Sequence, residues 1–195
     1  MLELHDVTIK TLRQTLSLTV DNGQLVCLSG PRGAGKTTVL RAVMGLQPVM
    51  GGYISIDGEL LTPLSASYFR KNMGYVPTRL VPIPGQDRVA DVRKTLFGLS
   101  ANRGTAAADP SERADDDRLW ADLSPMEQYL KLMSCVVCQR RTLFLIDEPP
   151  VAIDGPAVNI VLDSVHEMMA SGASVLMVNN QQVINYSANN VIILK

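Results

Sequence analysis

The stretch SGPRGAGKTT, Ser29 to Thr38, places three glycines, a lysine and two threonines in ten consecutive positions of a 195-residue chain. Within it Gly30, Pro31, Arg32, Gly33, Ala34, Gly35, Lys36 and Thr37 spell G-x-x-x-x-G-K-[ST], the spacing of a phosphate-cradling loop. Glycines let successive backbone N–H groups curl inward onto phosphate oxygens, where a Cβ would obstruct them. A helix starting at the lysine aims its positive end at the same anion. Lys36 has the reach for terminal phosphates, the Thr37 hydroxyl suits Mg2+, and Thr38, one residue deeper, suits an inner phosphate.

The context on either side agrees. LVCLSG (Leu25–Gly30) is a short apolar run ending in glycine, and KTTVLRAVMG has helical periodicity, so the loop joins a strand to a helix. Further on, GGYISIDGELL alternates about Asp57-Gly58 as a hairpin does, and NMGYVP reads as a strand stopped by proline. TLFLIDEPP (Thr142–Pro150) is a buried-type strand ending in Asp147 and Glu148. An acid there helps hold the magnesium of a bound nucleotide, here Asp147, and Glu148 is placed to orient or deprotonate a water. Pro156 opens a helix with an apolar stripe of Val158, Val161, Leu162, Val165, Met168 and Met169, closed by Gly172. SVLMVNN and NVIILK supply two more strands. Strands alternating with helices predict a parallel sheet with helices on both faces.

Between these blocks the pattern weakens. SANRGTAAADPSERADDD (Ser100–Asp117) has no apolar period and reads as a solvated loop, with DVRKTLFGL (Asp91–Leu99) the best helix near it. Order returns at SPMEQYLKLMSCVVC, where Ser124 is the expected N-cap and Met126, Tyr129, Leu130, Met133 and Val137 share a face. Cys135 and Cys138 have redox or metal spacing, but no second ligand pair accompanies them, and apolar packing is expected. The three cysteines argue against a disulfide framework. His5 and His166 receive no role, and Trp120 is expected to pack.

Net charge is −1 and the hydrophobic share 46%, so neither nucleic acid nor anionic lipid is attracted by bulk charge, and no nucleic-acid partner is expected. Met1–Asp6 does not read as a leader, and no run approaches the ~20 apolar residues of a membrane span. A cytoplasmic protein is expected.

Together these residues resemble the ATP-binding subunit of an ABC transporter over nearly the whole chain. LSLTVDNGQLVCLSGPRGAGKTTVLRAVMGLQPVMGGYISIDG is similar to that family's opening. GYVP stands at its glutamine-loop strand, LSPMEQ at its signature, LFLIDEPPVAID at the Walker B strand and D-loop with Asp154 as the D-loop acid, and SVLMVNN at the switch position. The resemblance implies an α/β fold, a P-loop NTPase three-layer sandwich with a mostly parallel central sheet and a small helical subdomain. One domain is expected over 1–195, its core at about 1–77 and 129–195 and the helical insertion at about 78–128. ATP and Mg2+ are the implied ligands, with Ser124 and Asn180 added to the nucleotide contacts and Lys36 and Glu148 as catalytic residues.

The implied partners are a second ATP-binding subunit, identical or not, and membrane-spanning transporter subunits that the dimer drives from the cytoplasmic face. Each ATP would lie between one subunit's phosphate loop and the other's signature. The chain departs from the family pattern at Thr78 for glutamine, Asn180 for histidine, and Pro125 and Met126 for the two signature glycines. No aromatic lies near Thr8–Arg13 to stack on adenine. Two functions therefore stand side by side: a transporter ATPase that is slow or partner-dependent, and a nucleotide-binding switch with little turnover.

Overall fold

Alternation along one strand divides the core. Val26 and Leu28 enter one buried apolar cluster, Leu25 and Cys27 the other, as the period of two in a pleated strand requires. In a computed structural model, which describes residues 1–97, 116–149, 155–180 and 182–195, that strand is β3 (Leu25–Ser29). It belongs to a five-stranded parallel sheet with β6 (Met73–Val76), β7 (Leu143–Ile146), β8 (Ser174–Val178) and β9 (Asn190–Ile193), in the order β6-β7-β8-β3-β9.

One face of this sheet is covered by α1 (Lys36–Val43) together with a second sheet. That sheet is antiparallel, ordered β2-β1-β4-β5, from β1 (Leu2–Thr8), β2 (Leu16–Val20), β4 (Gly51–Ile56) and β5 (Glu59–Leu60). Inward Leu2, Leu4, Val7, Leu16, Leu18, Ile54 and Ile56 alternate with polar positions, so this sheet has one wet face. The expected helices on both faces are thus supplemented on one side by strands. Local alternation identifies such strands, but which sheet they join depends on long-range pairing.

The other face carries α4 (Pro125–Val137) and α5 (Gly155–Ala170), with α3 (Val89–Phe97) against α4. Along α4 the buried residues are Tyr129, Leu132, Met133, Val136 and Val137, while Met126 and Leu130 are half-buried. The buried stripe is therefore rotated from the expected one, because α4 is enclosed by α3, α5 and β6 rather than resting on one neighbour. Cys138 corrects another expectation: it caps the end of α4 in an exposed position, while Cys27 is fully buried. Trp120 is buried, His166 exposed, and His5 stacks on Tyr53 across β1 and β4 with ring centroids 5.1 Å apart. Two short helices, α2 (Ala66–Asn72) and α6 (Gln182–Tyr186), complete the elements used below. Asp154 and most of the Ser100–Asp117 loop lie outside the described residues.

Candidate functional site

Strand register converges the polar residues. Val76 pairs with Ile146, Ile146 with Met177, and Leu28 with Val178. The residues that follow these strands therefore leave the sheet along one edge, at its carboxyl end, where open α/β sheets bind ligands. Ser29 to Lys36, Asp147-Glu148 and Asn179-Asn180 all emerge there.

The loop from Gly30 to Gly35 turns by means of positive φ angles. Gly30 has φ +147°, and a Cβ there would meet the Leu194 carbonyl oxygen at 2.4 Å. Gly35 has φ +90° as the N-cap of α1, and a Cβ there would meet Leu12 Cδ2 at 2.7 Å. Gly30 excludes a side chain by the fixed Leu194 backbone as well as by its conformation, and Gly35 by its positive φ, since the Leu12 methyl can shift. Pro31, Arg32 and Gly33 are exposed, and Ala34 and Thr38 half-buried. Leu12 supplies an aliphatic contact in the region where no aromatic stands.

Lys36 is only 6% exposed. Its Nζ donates to the carbonyls of Gly30 at 2.7 Å and Pro31 at 3.1 Å, and lies 3.8 Å from Glu148 Oε2. A nearly buried ammonium is held here by weak neutral acceptors and one partly exposed carboxylate, a partnership an incoming phosphate outcompetes. Thr37 Oγ1 donates to Asp147 Oδ1 at 3.0 Å, joining positions 110 residues apart. A hydroxyl and a carboxylate side by side form a hard oxygen pair of the kind Mg2+ prefers, so the residues present fit that ion.

Asn180 bridges the loop and the acid. Its Nδ2 donates to Glu148 Oε1 at 2.9 Å, and its Oδ1 accepts from Gly30 N–H at 3.1 Å and Ser29 Oγ at 3.2 Å. These partners orient the amide: oxygen toward the loop, nitrogen toward the acid. Ser124 stands apart, at the start of α4. There a capping box is closed, with Glu127 N–H donating to Ser124 Oγ at 3.3 Å and Ser124 N–H to Glu127 Oε2 at 2.7 Å. Pro125 contributes no N–H, and Arg118 lies 3.6 Å from Glu127 Oε1. The site residues at Lys36, Thr37, Asp147, Glu148 and Asn180 thus come together within this chain, and Ser124 does not join them.

Two functional neighbours escaped the sequence reading. Tyr129 donates its hydroxyl to the Asp147 carbonyl at 2.9 Å, and Tyr75 donates to Asp147 Oδ2 at 3.5 Å. Burial first and then the Asp147 charge push the Tyr75 phenol up to about 12, and Tyr129 is raised for the same reasons in the same order. Both stay protonated donors at neutral pH. Tyrosine rather than phenylalanine at an otherwise apolar position was the available signal.

Comparison with known proteins agrees with this geometry. The ABC transporter family matches residues 13–151. An ABC transporter ATP-binding protein of Haemophilus influenzae is 28% identical, covering 100% of this chain and 80% of its own length. The manganese transport system ATP-binding protein MntB of Bacillus subtilis is also 28% identical, over 91% of this chain and 76% of its own. Among solved structures, the ATP-binding subunit of an ABC transporter superposes with TM-score 0.82 at 24% identity, covering 100% of this chain and 85% of that one. A dimeric ATP-binding cassette in a post-hydrolysis state with ADP and Pi superposes at 0.79 with 21% identity, covering 100% and 94%. A phosphate loop, an Asp-Glu pair and a switch position gathered at one sheet edge, in a chain with these relatives, have one assignment: the chain belongs to the ABC transporter family, as an ATP-binding cassette.

Proposed function

We propose that this cassette hydrolyses ATP with Mg2+ at the site formed by Gly30 to Thr38, Asp147, Glu148 and Asn180, and that nucleotide-driven pairing with a second cassette drives membrane-spanning partner subunits. The observation that carries this reading is the Thr37–Asp147 contact, with Glu148 and Lys36 3.8 Å apart beside it. It supports Thr37 and Asp147 as the metal-holding pair. The ion, when bound, neutralises charge that develops on the phosphates. Lys36 exchanges the Gly30 and Pro31 carbonyls for the terminal phosphates. Glu148 takes the proton of the attacking water as the water oxygen bonds the γ-phosphorus and the bond to the ADP oxygen breaks. Asn180 holds Glu148 in place from the loop side.

The chain's other contribution, its signature, is weakened. At the start of α4 the Ser124 and Glu127 N–H groups are engaged with each other's side chains, Pro125 has none, and the Glu127 carboxylate adds a negative charge unfavourable to a partner's phosphate. An intact signature from a different cassette is therefore the better complement to this phosphate loop than a second copy of this chain. Among the described residues no helix is long and apolar enough to cross a membrane, in keeping with a peripheral subunit. The packing of α4 on both α3 and α5 supports one domain over 1–195 with a helical insertion between core segments. Because α4 is continuous over Pro125–Val137, the junction between the insertion at about 78–128 and the core at about 129–195 belongs at an end of that helix rather than within it.

The test is ATP turnover by the purified chain, alone and with its membrane partner, against Glu148→Gln. Turnover abolished by that substitution with ATP binding retained supports the reading. Tight ATP-dependent pairing without turnover in either setting favours the switch, the reading for which the self-capped α4 speaks.

A further inference from the structure

Asp147 is held at every polar atom. Its N–H donates to the Val76 carbonyl at 2.8 Å, and its carbonyl accepts from Tyr129 Oη at 2.9 Å. Oδ1 accepts from Thr37 Oγ1 and from the Glu148 N–H, each at 3.0 Å, and Oδ2 accepts from Tyr75 Oη at 3.5 Å. The backbone bond to β6 and the Glu148 N–H are what a strand end supplies anyway. The two phenols are additional, and they come from different places. Tyr75 sits on β6, inside the same sheet. Tyr129 sits on α4, five residues beyond its N-cap Ser124 and so ~7.5 Å along the helix axis, in the helix whose start the proposed function assigns to pairing with a second cassette.

We propose that Tyr129, through the Asp147 carbonyl, and Tyr75, through its carboxylate, are positioning residues for Asp147, and that through Tyr129 the first turns of α4 and Asp147 move as one unit. This rests on the nucleotide site proposed above. Tyr129 is fully buried, so its hydroxyl has no water to turn to, and displacing α4 without Asp147 leaves a buried donor and a buried carbonyl unpaired. The capping box stiffens the turn between Ser124 and Tyr129, so motion at one end reaches the other. The bond runs both ways: ordering Asp147 by Mg2+ orders the start of α4, and a partner pressing on α4 tunes Asp147. Tyr75, which reaches the carboxylate without touching that helix start, orients Oδ1 toward Thr37 and takes no part in the relay.

Hydrogen exchange on the full chain separates these roles. The probe is a non-hydrolysable ATP analogue with Mg2+, compared with the same analogue in EDTA. In the wild type the ion is expected to slow exchange both at the phosphate loop and across residues 124–130. In Tyr129→Phe, which conserves volume, loop protection stays while the Mg2+-dependent slowing at 124–130 falls about fivefold, the effect of one hydrogen bond. In Tyr75→Phe the slowing at 124–130 stays and about fivefold more Mg2+ is needed to reach it. Equal slowing at 124–130 in wild type and Tyr129→Phe, or its loss in Tyr75→Phe as well, overturns the relay. Absence of any loop protection in the wild type instead removes the nucleotide site itself.

Discussion

Asn180 Nδ2 lies 2.9 Å from Glu148 Oε1, and the same side chain accepts the Gly30 N–H. Glu148, the proposed general base, and the phosphate loop are therefore joined by an amide that has no titration near neutral pH. Replacing Asn180 by alanine should lower kcat by about tenfold to a hundredfold with a small change in ATP affinity, since the bond acts on the base rather than on substrate. Asn180→His should keep turnover and add an inflection near pH 6.5 to the rate profile. Steady-state kinetics across pH checks both.

Lys36 already makes two hydrogen bonds to loop carbonyls in the absence of phosphate. Exchanging these neutral carbonyls for anionic phosphate oxygens gains about 1.5–3 kcal/mol, so Lys36→Ala should weaken Mg·ATP binding about tenfold to a hundredfold. Calorimetric titration reads this directly, and unchanged affinity would remove the lysine from the site.

The signature end makes a gain-of-function prediction. Glycine at both Pro125 and Met126 restores an N–H and room for a phosphate to approach, at a helix-stability cost of about 1 kcal/mol. With the missing N–H at position 125 restored for trans completion of a second site, this double variant should raise ATPase activity by about tenfold or more in the complex. The chain alone serves as the comparison.

Gly74 tests the core. A Cβ there would meet Phe144 Cδ1 at 2.4 Å and Val136 Cγ1 at 2.9 Å. These belong to β7 and to α4, neither able to yield without moving its neighbours. Gly74→Ala should destabilise by about 1–3 kcal/mol through overpacking, measured as a lower urea midpoint at unchanged slope.

Cys27 sets an alkaline limit. Burial raises its thiol from 9.0 to about 12, so the fold prefers the protonated form. The resulting stabilisation is complete below pH 9.0 and is lost as pH rises toward about 12. Urea midpoints should fall across that window, and Cys27→Ala should flatten the fall.

How much of this was legible beforehand follows from the range of each interaction. Strand, loop and helix around Lys36 are local: glycine spacing, an apolar run and helical periodicity lie within twenty residues of one another. The Asp147-Glu148 pair was legible because a buried run ends in two acids. What could not be read was contact at long range. The rotation of α4 that makes Leu132 and Val136 core, and the seating of Tyr129 on the Asp147 carbonyl, depend on α3, α5 and β6 enclosing that helix together. Periodicity gives the width of a buried stripe, and its neighbours set its angle.

By itself, then, the chain determined a phosphate loop, an acid pair, a switch asparagine and a proline-bearing signature, since each is a matter of residue type at fixed spacing. Only the tertiary structure decided that Thr37 meets Asp147, that Asn180 spans loop and base, and that Glu127 closes the start of α4. The reason is parallel register: pairing Leu28 with Val178 and Ile146 with Met177 brings distant strand ends to one edge, and backbone hydrogen bonds between strands carry no mark in the local sequence.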